Sequence, residues 1–171
     1  TFYDNIVLPP PLILLQGDIS YARGAAYIWD RWFQLIEPLA TRVPYMINIG
    51  NHEYDHTGTG GRDPSGATGN GWHPSWGNMG DDSNGECGVP MASRFTMPES
   101  PGFNGMFWYS FDYGSVHFTM ISTEHDLSPG SVQYLWLEKD LASVDRSRTP
   151  WLVVSGHRPM YNSEMVRARQ S

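Results

Sequence analysis

Residues 12–21 read Leu12-Ile13-Leu14-Leu15-Gln16-Gly17-Asp18-Ile19-Ser20-Tyr21. The apolar run Leu12–Leu15 has the length and composition of a buried strand, and the Gly17-Asp18 pair follows it directly. Further on, Ala25 to Ala40 carries a helical period, with Ile28, Trp32, Leu35, Ile36 and Leu39 expected on one face. That aromatic stripe reads as core rather than as a cofactor box. Pro38 is expected to end or kink the helix early. A second apolar run, Val43–Ile49, completes a strand–helix–strand unit, and such units place their two strands parallel. The fold class is therefore α/β.

The rest of the chain adds to this unit. Phe107–Phe111 and Val116–Ile121 read as a hairpin turning near Asp112-Tyr113-Gly114, and Trp151–Val154 as a further strand. A second helix is expected from about Pro129 to Val144. Ser128-Pro129 would be its cap and first turn, and Tyr134, Leu137, Leu141 and Val144 would share a face. Residues 57–88 differ in kind. They hold ten of the 18 glycines and no Val, Ile, Leu, Phe or Tyr, so they read as a Gly-rich surface loop, either an insertion or a substrate lid. His56, His73, Trp72 and Trp76 lie in or beside this loop, the histidines expected in solvent and the tryptophans as clamps on the body.

A length of 171 residues suits one domain, and 40% hydrophobic with 17% charged residues suits a packed core. The net charge of −7 argues against nucleic-acid binding through phosphate attraction. It leaves a small phosphorylated substrate open, because bound cations supply local positive charge. No run reaches the length of a membrane span. The sequence opens at Thr1 without a signal-peptide pattern, and Cys87 is the sole cysteine. Cys87 is expected to be a buried thiol or to pair with sequence outside this stretch.

The chemistry concentrates at strand ends. Leu12–Leu15 leads to Asp18, Val43–Ile49 to Asn51 and His52, and Trp151–Val154 to His157. Ligand sites in α/β sheets lie beyond the carboxyl ends of the strands, so these residues are candidates for one cluster. A carboxylate, an amide oxygen and an imidazole together suit divalent or trivalent transition metals. Glycine precedes Asp18, Asn51 and His157, where backbone must turn and approach closely.

These blocks resemble a known family. Gly17-Asp18-Ile19-Ser20-Tyr21, Gly50-Asn51-His52-Glu53 and Val154-Ser155-Gly156-His157 are similar to the GDxxY, GNH(D/E) and VxxH blocks of purple acid phosphatases, within the calcineurin-like metallophosphoesterases. The likeness covers nearly the whole chain. Ser122-Thr123-Glu124-His125-Asp126 and Gly156-His157-Arg158-Pro159-Met160-Tyr161 are most similar to the larger, plant-type members.

The resemblance implies an αββα sandwich with mixed β-sheets. It implies hydrolysis of phosphate esters, as an acid phosphatase, by a dinuclear centre of Fe(III) with Zn(II), Mn(II) or Fe(II) and a metal-activated water as nucleophile. Asp18 would bridge the metals, Tyr21 would bind the ferric ion, and Asn51 and His157 the divalent ion. His52 would contact the phosphoryl group as acid or charge stabiliser. Arg158 would contact phosphate or serve structure. The segment Glu124-His125-Asp126 is expected to form a strand-end network beside the site rather than a second metal site. The implied partners are small phosphate esters or nucleotides, in a secreted, extracellular or vacuolar setting. An upstream Asp block and a downstream GHxH block belong to the pattern and do not occur here, so a central part of one catalytic domain is expected, short at both ends. The alternatives are a phosphodiesterase or nucleotide pyrophosphatase on the same site, or a non-catalytic scaffold that has lost its metals.

Overall fold

The computed structural model describes residues 11–54, 82–98 and 106–161. In chain order the elements are β1 (Ile13–Gln16), α1 (Ala26–Ala40), β2 (Tyr45–Asn48), α2 (Val89–Arg94), β3 (Tyr109–Tyr113), β4 (Val116–Met120), α3 (Val132–Ser143) and β5 (Trp151–Ser155). β1 and β2 pair in parallel, Ile13 opposite Tyr45, as a strand–helix–strand unit requires. β3 and β4 form an antiparallel hairpin, and β5 joins β4 in parallel, so the second sheet is mixed. The hairpin pairs Tyr113 with Val116, which leaves Gly114 and Ser115 as the turn, slightly beyond the expected position. Gly114 has φ 60°, a conformation that costs glycine little.

One apolar core joins these parts. It takes Trp29 from α1, Ile47 from β2, Met91 from α2, Tyr109 from β3 and Met120 from β4. Phe107 and Trp108, expected in a strand, are buried just ahead of β3 instead. The two sheets are also tied by polar bonds. The buried Asn48 side chain donates to the carbonyls of Ile121 and Ser155, and the Tyr109 hydroxyl donates to the Ile47 carbonyl at 2.7 Å. Such bonds align the carboxyl ends of β2, β4 and β5, which is where the candidate site residues begin.

The helices depart from expectation in phase and in their ends. In α1 the inward face is Ile28, Trp29, Trp32, Phe33 and Ile36, whereas Leu35 and Leu39 are 79% and 57% exposed. The expected stripe was thus rotated by part of a turn, because Trp29 and Phe33 hold the aromatic cluster with Phe95. Pro38 does not end α1, which continues to Ala40. Pro38 is exposed, so the backbone acceptor it deprives faces solvent, and the Thr41 N–H closes the end on the Glu37 carbonyl. The cap of α3 is Ser131, whose hydroxyl accepts the Tyr134 N–H, and not Ser128. Gly130, at φ 89°, turns the chain between them. The deepest residue of α3 is Gln133, which exchanges two hydrogen bonds with the Ser122 backbone. Asp140 pins the helix to the hairpin by accepting from Ser110, Thr119 and His117.

The segment expected as a surface loop is described only from residue 82 onward, and that end packs inward. Ser83 is fully buried and Glu86 nearly so, and Gly88 lies against the Tyr54 and Phe107 rings. Polar residues go inside here because each finds a backbone partner: Glu86 accepts the Gly24 N–H at 2.8 Å. Gly88 then opens α2, a helix without a counterpart among the expected elements. Residues 57–81, with Trp72, His73 and Trp76, and His56 just ahead of them, lie outside the described residues.

Candidate active site

Asp18, Asn51, His52 and His157 follow β1, β2 and β5 directly, and the fold brings them together with Tyr21. The Asp18 carboxylate is the centre. Its Oδ2 accepts the Tyr21 hydroxyl at 2.9 Å, and its Oδ1 lies 3.3 Å from His157 Nε2. His157 Nε2 is in turn 3.0 Å from Asn51 Oδ1. The two oxygens of Asp18 therefore face different partners, the Tyr21 hydroxyl at Oδ2 and His157 Nε2 at Oδ1, with Asn51 reached through His157. His52 Nε2 stands 3.9 Å from Asp18 Oδ2, and its ring lies 4.5 Å from the Tyr21 ring, centroid to centroid. Tyr21 is exposed and the other four are half-buried, so the cluster opens to solvent.

Backbone geometry creates this convergence. Gly17, Asp18 and Tyr21 all have positive φ, at 76°, 52° and 52°. Non-glycine residues in that region mark stored strain that its surroundings must hold. A Cβ on Gly17 would sit 2.7 Å from Gly50 Cα and 2.8 Å from His157 Nδ1, so the three strand ends meet only because that atom is absent. The buried Glu53 holds the arrangement. Its Oε2 accepts the N–H groups of Asp18 at 2.8 Å and Gly50 at 3.0 Å, and its Oε1 accepts the Ile19 N–H at 2.6 Å. Burial pushes the Glu53 carboxyl above its usual range, with the Ile19 N–H pulling against it and the Asp18 charge adding to it.

The imidazoles are oriented by backbone carbonyls. His157 Nδ1–H donates to Gln16 O at 2.6 Å, which turns Nε2 toward Asp18. His52 Nδ1–H donates to Asp82 O at 3.2 Å, which turns its Nε2 the same way. Asn51 Nδ2 donates to Asp82 Oδ2 at 2.8 Å, so its Oδ1 faces His157. Burial pushes the Asp18 carboxyl up, but the His157 hydrogen bond and charge, with Tyr21 and the His52 N–H, outweigh it and hold its pKa at about 2. Burial pulls His157 down, and Asp18 with the Gln16 carbonyl raises it further, to a net rise. The Asp18 carboxylate raises the Tyr21 phenol above its usual range, so a phenolate there needs a cation to oppose that field.

The donor set suits a metal. Carboxylate, phenol and amide oxygens with one imidazole nitrogen match the preferences of Fe, Mn and Zn, and the arms of Asp18 match a bridging carboxylate. Among the described residues no three His, Cys, Asp or Glu side chains gather as a metal site, so the set depends on Tyr21 and Asn51. Arg158 lies beside the cluster with its fork on Glu124, Nε to Oε1 at 2.8 Å and NH2 to Oε2 at 2.9 Å. His125 is enclosed by Tyr54, Phe107 and Trp108 and bonded to the Ser122 hydroxyl at 2.7 Å. Asp126 accepts from Ser128. Glu124, His125 and Asp126 therefore turn to three different surroundings and do not converge on one point as a second metal site. The sequence reading named no role for Glu53 or Asp82. Glu53 carried a signal, as the fourth residue of its block; Asp82 carried none in a polar, aperiodic stretch.

The fold and the cluster together define a metallophosphoesterase domain. The chain belongs to the calcineurin-like phosphoesterase family, whose model matches residues 3–170. Purple acid phosphatases are among its relatives. It is 48% identical over 165 residues to "Probable inactive purple acid phosphatase 9" of Arabidopsis thaliana, covering 90% of this chain and 24% of the relative. It is 36% identical to "Nucleotide pyrophosphatase/phosphodiesterase" of Hordeum vulgare, over 90% of this chain and 38% of the relative. Purple acid phosphatase from yellow lupin (Lupinus luteus) seeds superposes with a TM-score of 0.71 at 41% identity, over 86% of this chain and 23% of that one. The chain thus spans less than two-fifths of the length of each of these relatives.

Proposed function

We propose that the full-length protein is an acid phosphatase that hydrolyses small phosphate esters at a dinuclear metal centre, Fe(III) with Zn(II), Mn(II) or Fe(II). The observation that carries this reading is the division at Asp18, with the Tyr21 hydroxyl at Oδ2 and His157 Nε2 at Oδ1, and Asn51 Oδ1 on that same His157 nitrogen. Tyr21 and Asp18 would hold the ferric ion, and Asp18, Asn51 and His157 the divalent one. Two such cations, when bound, clamp the phosphoryl group and lower the pKa of a water. His52 presents Nε2 to the same space, where, as an imidazolium with a proton on each nitrogen, it would bind a phosphoryl oxygen or give the Nε2 proton to the leaving alkoxide. Glu53 keeps the Asp18 and Asn51 turns in register and touches no substrate. Arg158 is held on Glu124 through Nε and NH2, so its role here is to shape the wall of the site. By family likeness the protein acts outside the cell or in the vacuole; among the described residues no helix is long and apolar enough to cross a membrane.

Two observations favour second readings. The barley relative's name supports diester or pyrophosphate cleavage on the same residues. The Arabidopsis relative's name supports a non-catalytic protein. One experiment separates all three. Full-length protein is assayed for bound metal and for hydrolysis of p-nitrophenyl phosphate, its bis ester and a nucleotide pyrophosphate at acidic and neutral pH. Monoester turnover that is lost with Asn51→Ala supports the proposal. Turnover confined to the bis ester or the nucleotide pyrophosphate indicates the phosphodiesterase or pyrophosphatase reading, and a protein that takes up no metal and turns over no substrate overturns the dinuclear reading and indicates the scaffold. A Tyr21–Fe(III) bond would also give a visible absorption band that Tyr21→Phe removes.

A further inference from the structure

We infer that Asp82 is a positioning residue for this centre, fixing which end of the Asn51 amide and which nitrogen of His52 face it. The inference rests on the proposed dinuclear reading. An amide has a donor end and an acceptor end, and only the carbonyl oxygen ligates a cation. The Asp82 carboxylate only accepts, so it selects the Asn51 rotamer in which Nδ2 points away and Oδ1 faces His157. The opposite rotamer sets an NH2 group against the cation position and an oxygen against the carboxylate. The Asp82 main-chain carbonyl also only accepts. It therefore requires a proton on His52 Nδ1, which leaves Nε2 on the side of Asp18. One residue thus sets the orientation of a ligand and of the phosphoryl-binding histidine, through two separate atoms.

Asp82 is itself held firmly. Ser83 beside it is buried and bonded by the Glu86 and Cys87 N–H groups of the same segment, and Asn84 Nδ2 donates to Arg23 O. Glu86 accepts the Gly24 N–H, and the Gly88 N–H donates to Glu53 O at 2.9 Å. The segment carrying Asp82 is therefore tied to the Asp18 turn through residues 23 and 24, and to the Asn51 turn through Glu53. A residue that merely decorated the surface would not sit on such a frame.

The test uses full-length protein and Zn(II) as probe, with dissociation constants from competition dialysis and melting of the metal-free protein as a control. Loss of a group that orients a metal ligand typically weakens metal binding by about 10–100-fold. Asp82→Ala is expected to fall in that range with the metal-free melt unchanged. Asp82→Asn is nearly isosteric and keeps one acceptor oxygen, so it should lose less. The deciding comparison is with Asn51→Ala. If Asp82 acts by orienting Asn51, adding Asp82→Ala to Asn51→Ala should weaken Zn(II) no further. An unchanged Zn(II) constant in both Asp82 variants overturns the inference, as does an equal loss in the Asn51→Ala background. Should Asp82→Ala not fold, Asp82→Asn and its cycle with Asn51→Ala decide alone. Wild type that binds Zn(II) while the Asp82 variants match it refutes only this inference; wild type that binds none refutes the dinuclear reading beneath it.

Discussion

Replacing Glu53 tests the scaffold of the site directly. Its two oxygens accept three backbone N–H groups from two turns, and its side chain is 1% exposed. Water cannot replace it. Hydrogen bonds to a charged group contribute about 1.5–3 kcal/mol each, and a buried donor left without a partner costs about 1–3 kcal/mol. These terms overlap and some relaxation will occur, so Glu53→Ala should cost about 3–5 kcal/mol, a large part of the ~5–15 kcal/mol typical of a folded domain. Glu53→Gln keeps one oxygen. Oε2 serves both Asp18 and Gly50, so the amide oxygen belongs there and the NH2 group meets the Ile19 N–H. That leaves a single donor unpaired and a cost of about 1–3 kcal/mol. Urea unfolding of full-length protein, followed by the fluorescence of the buried Trp29 and Trp108, gives the comparison. The expected order is wild type, then Gln, then Ala. The reasoning fails if Ala lies within about 0.5 kcal/mol of wild type, the range of ordinary surface changes, or if Gln is as harmful as Ala.

His52→Ala should lower turnover by about 10²–10³ while metal content, read by atomic emission, stays near wild type; metal loss matching Asn51→Ala would make His52 a ligand. Gly17→Ala should abolish metal binding, measured by dialysis, since its Cβ would collide with the Gly50 backbone and Gly17 already has φ 76°. His117 lies 2.7 Å from Asp112 and 3.3 Å from Asp140. Burial pulls its pKa down, but the two carboxylates raise it above the ordinary 6.5. With the folded pKa above the unfolded one, its stabilisation is full below about pH 6.5 and is lost as pH rises through the folded value. The melting temperature should therefore decline across that window in wild type and decline less in His117→Gln.

The parallel strand–helix–strand unit was legible because its signals are local. Leu12–Leu15 and Val43–Ile49 are continuous apolar runs, and a helical period lies between them. The strand-end position of Asp18, Asn51, His52 and His157 followed from the same runs. Even so, a period of 3.6 residues fixes only that a face exists. Which face turns inward in α1 was set by the rings that Trp29 and Phe33 meet, above all Phe95, far along the chain. Pro38 and Ser128 misled for a related reason. A breaker or cap residue acts only if the surrounding chain lets it, and exposure at Pro38 and the turn at Gly130 decided otherwise.

By itself, then, the sequence determined the α/β class, the family and the strand-end positions of the candidate site residues, since each rests on a short run of neighbouring positions. Only the tertiary structure decided how those residues are aimed. Glu53 reaches Asp18 across 35 positions, Asp82 reaches Asn51 across 31, and Glu124 takes the Arg158 fork across 34. Orientation of a carboxylate, an amide or an imidazole depends on which donor or acceptor packs against it. Such partners come from distant, aperiodic segments, whose positions are fixed by burial and hydrogen-bond satisfaction across the whole domain and not by any pattern along the chain.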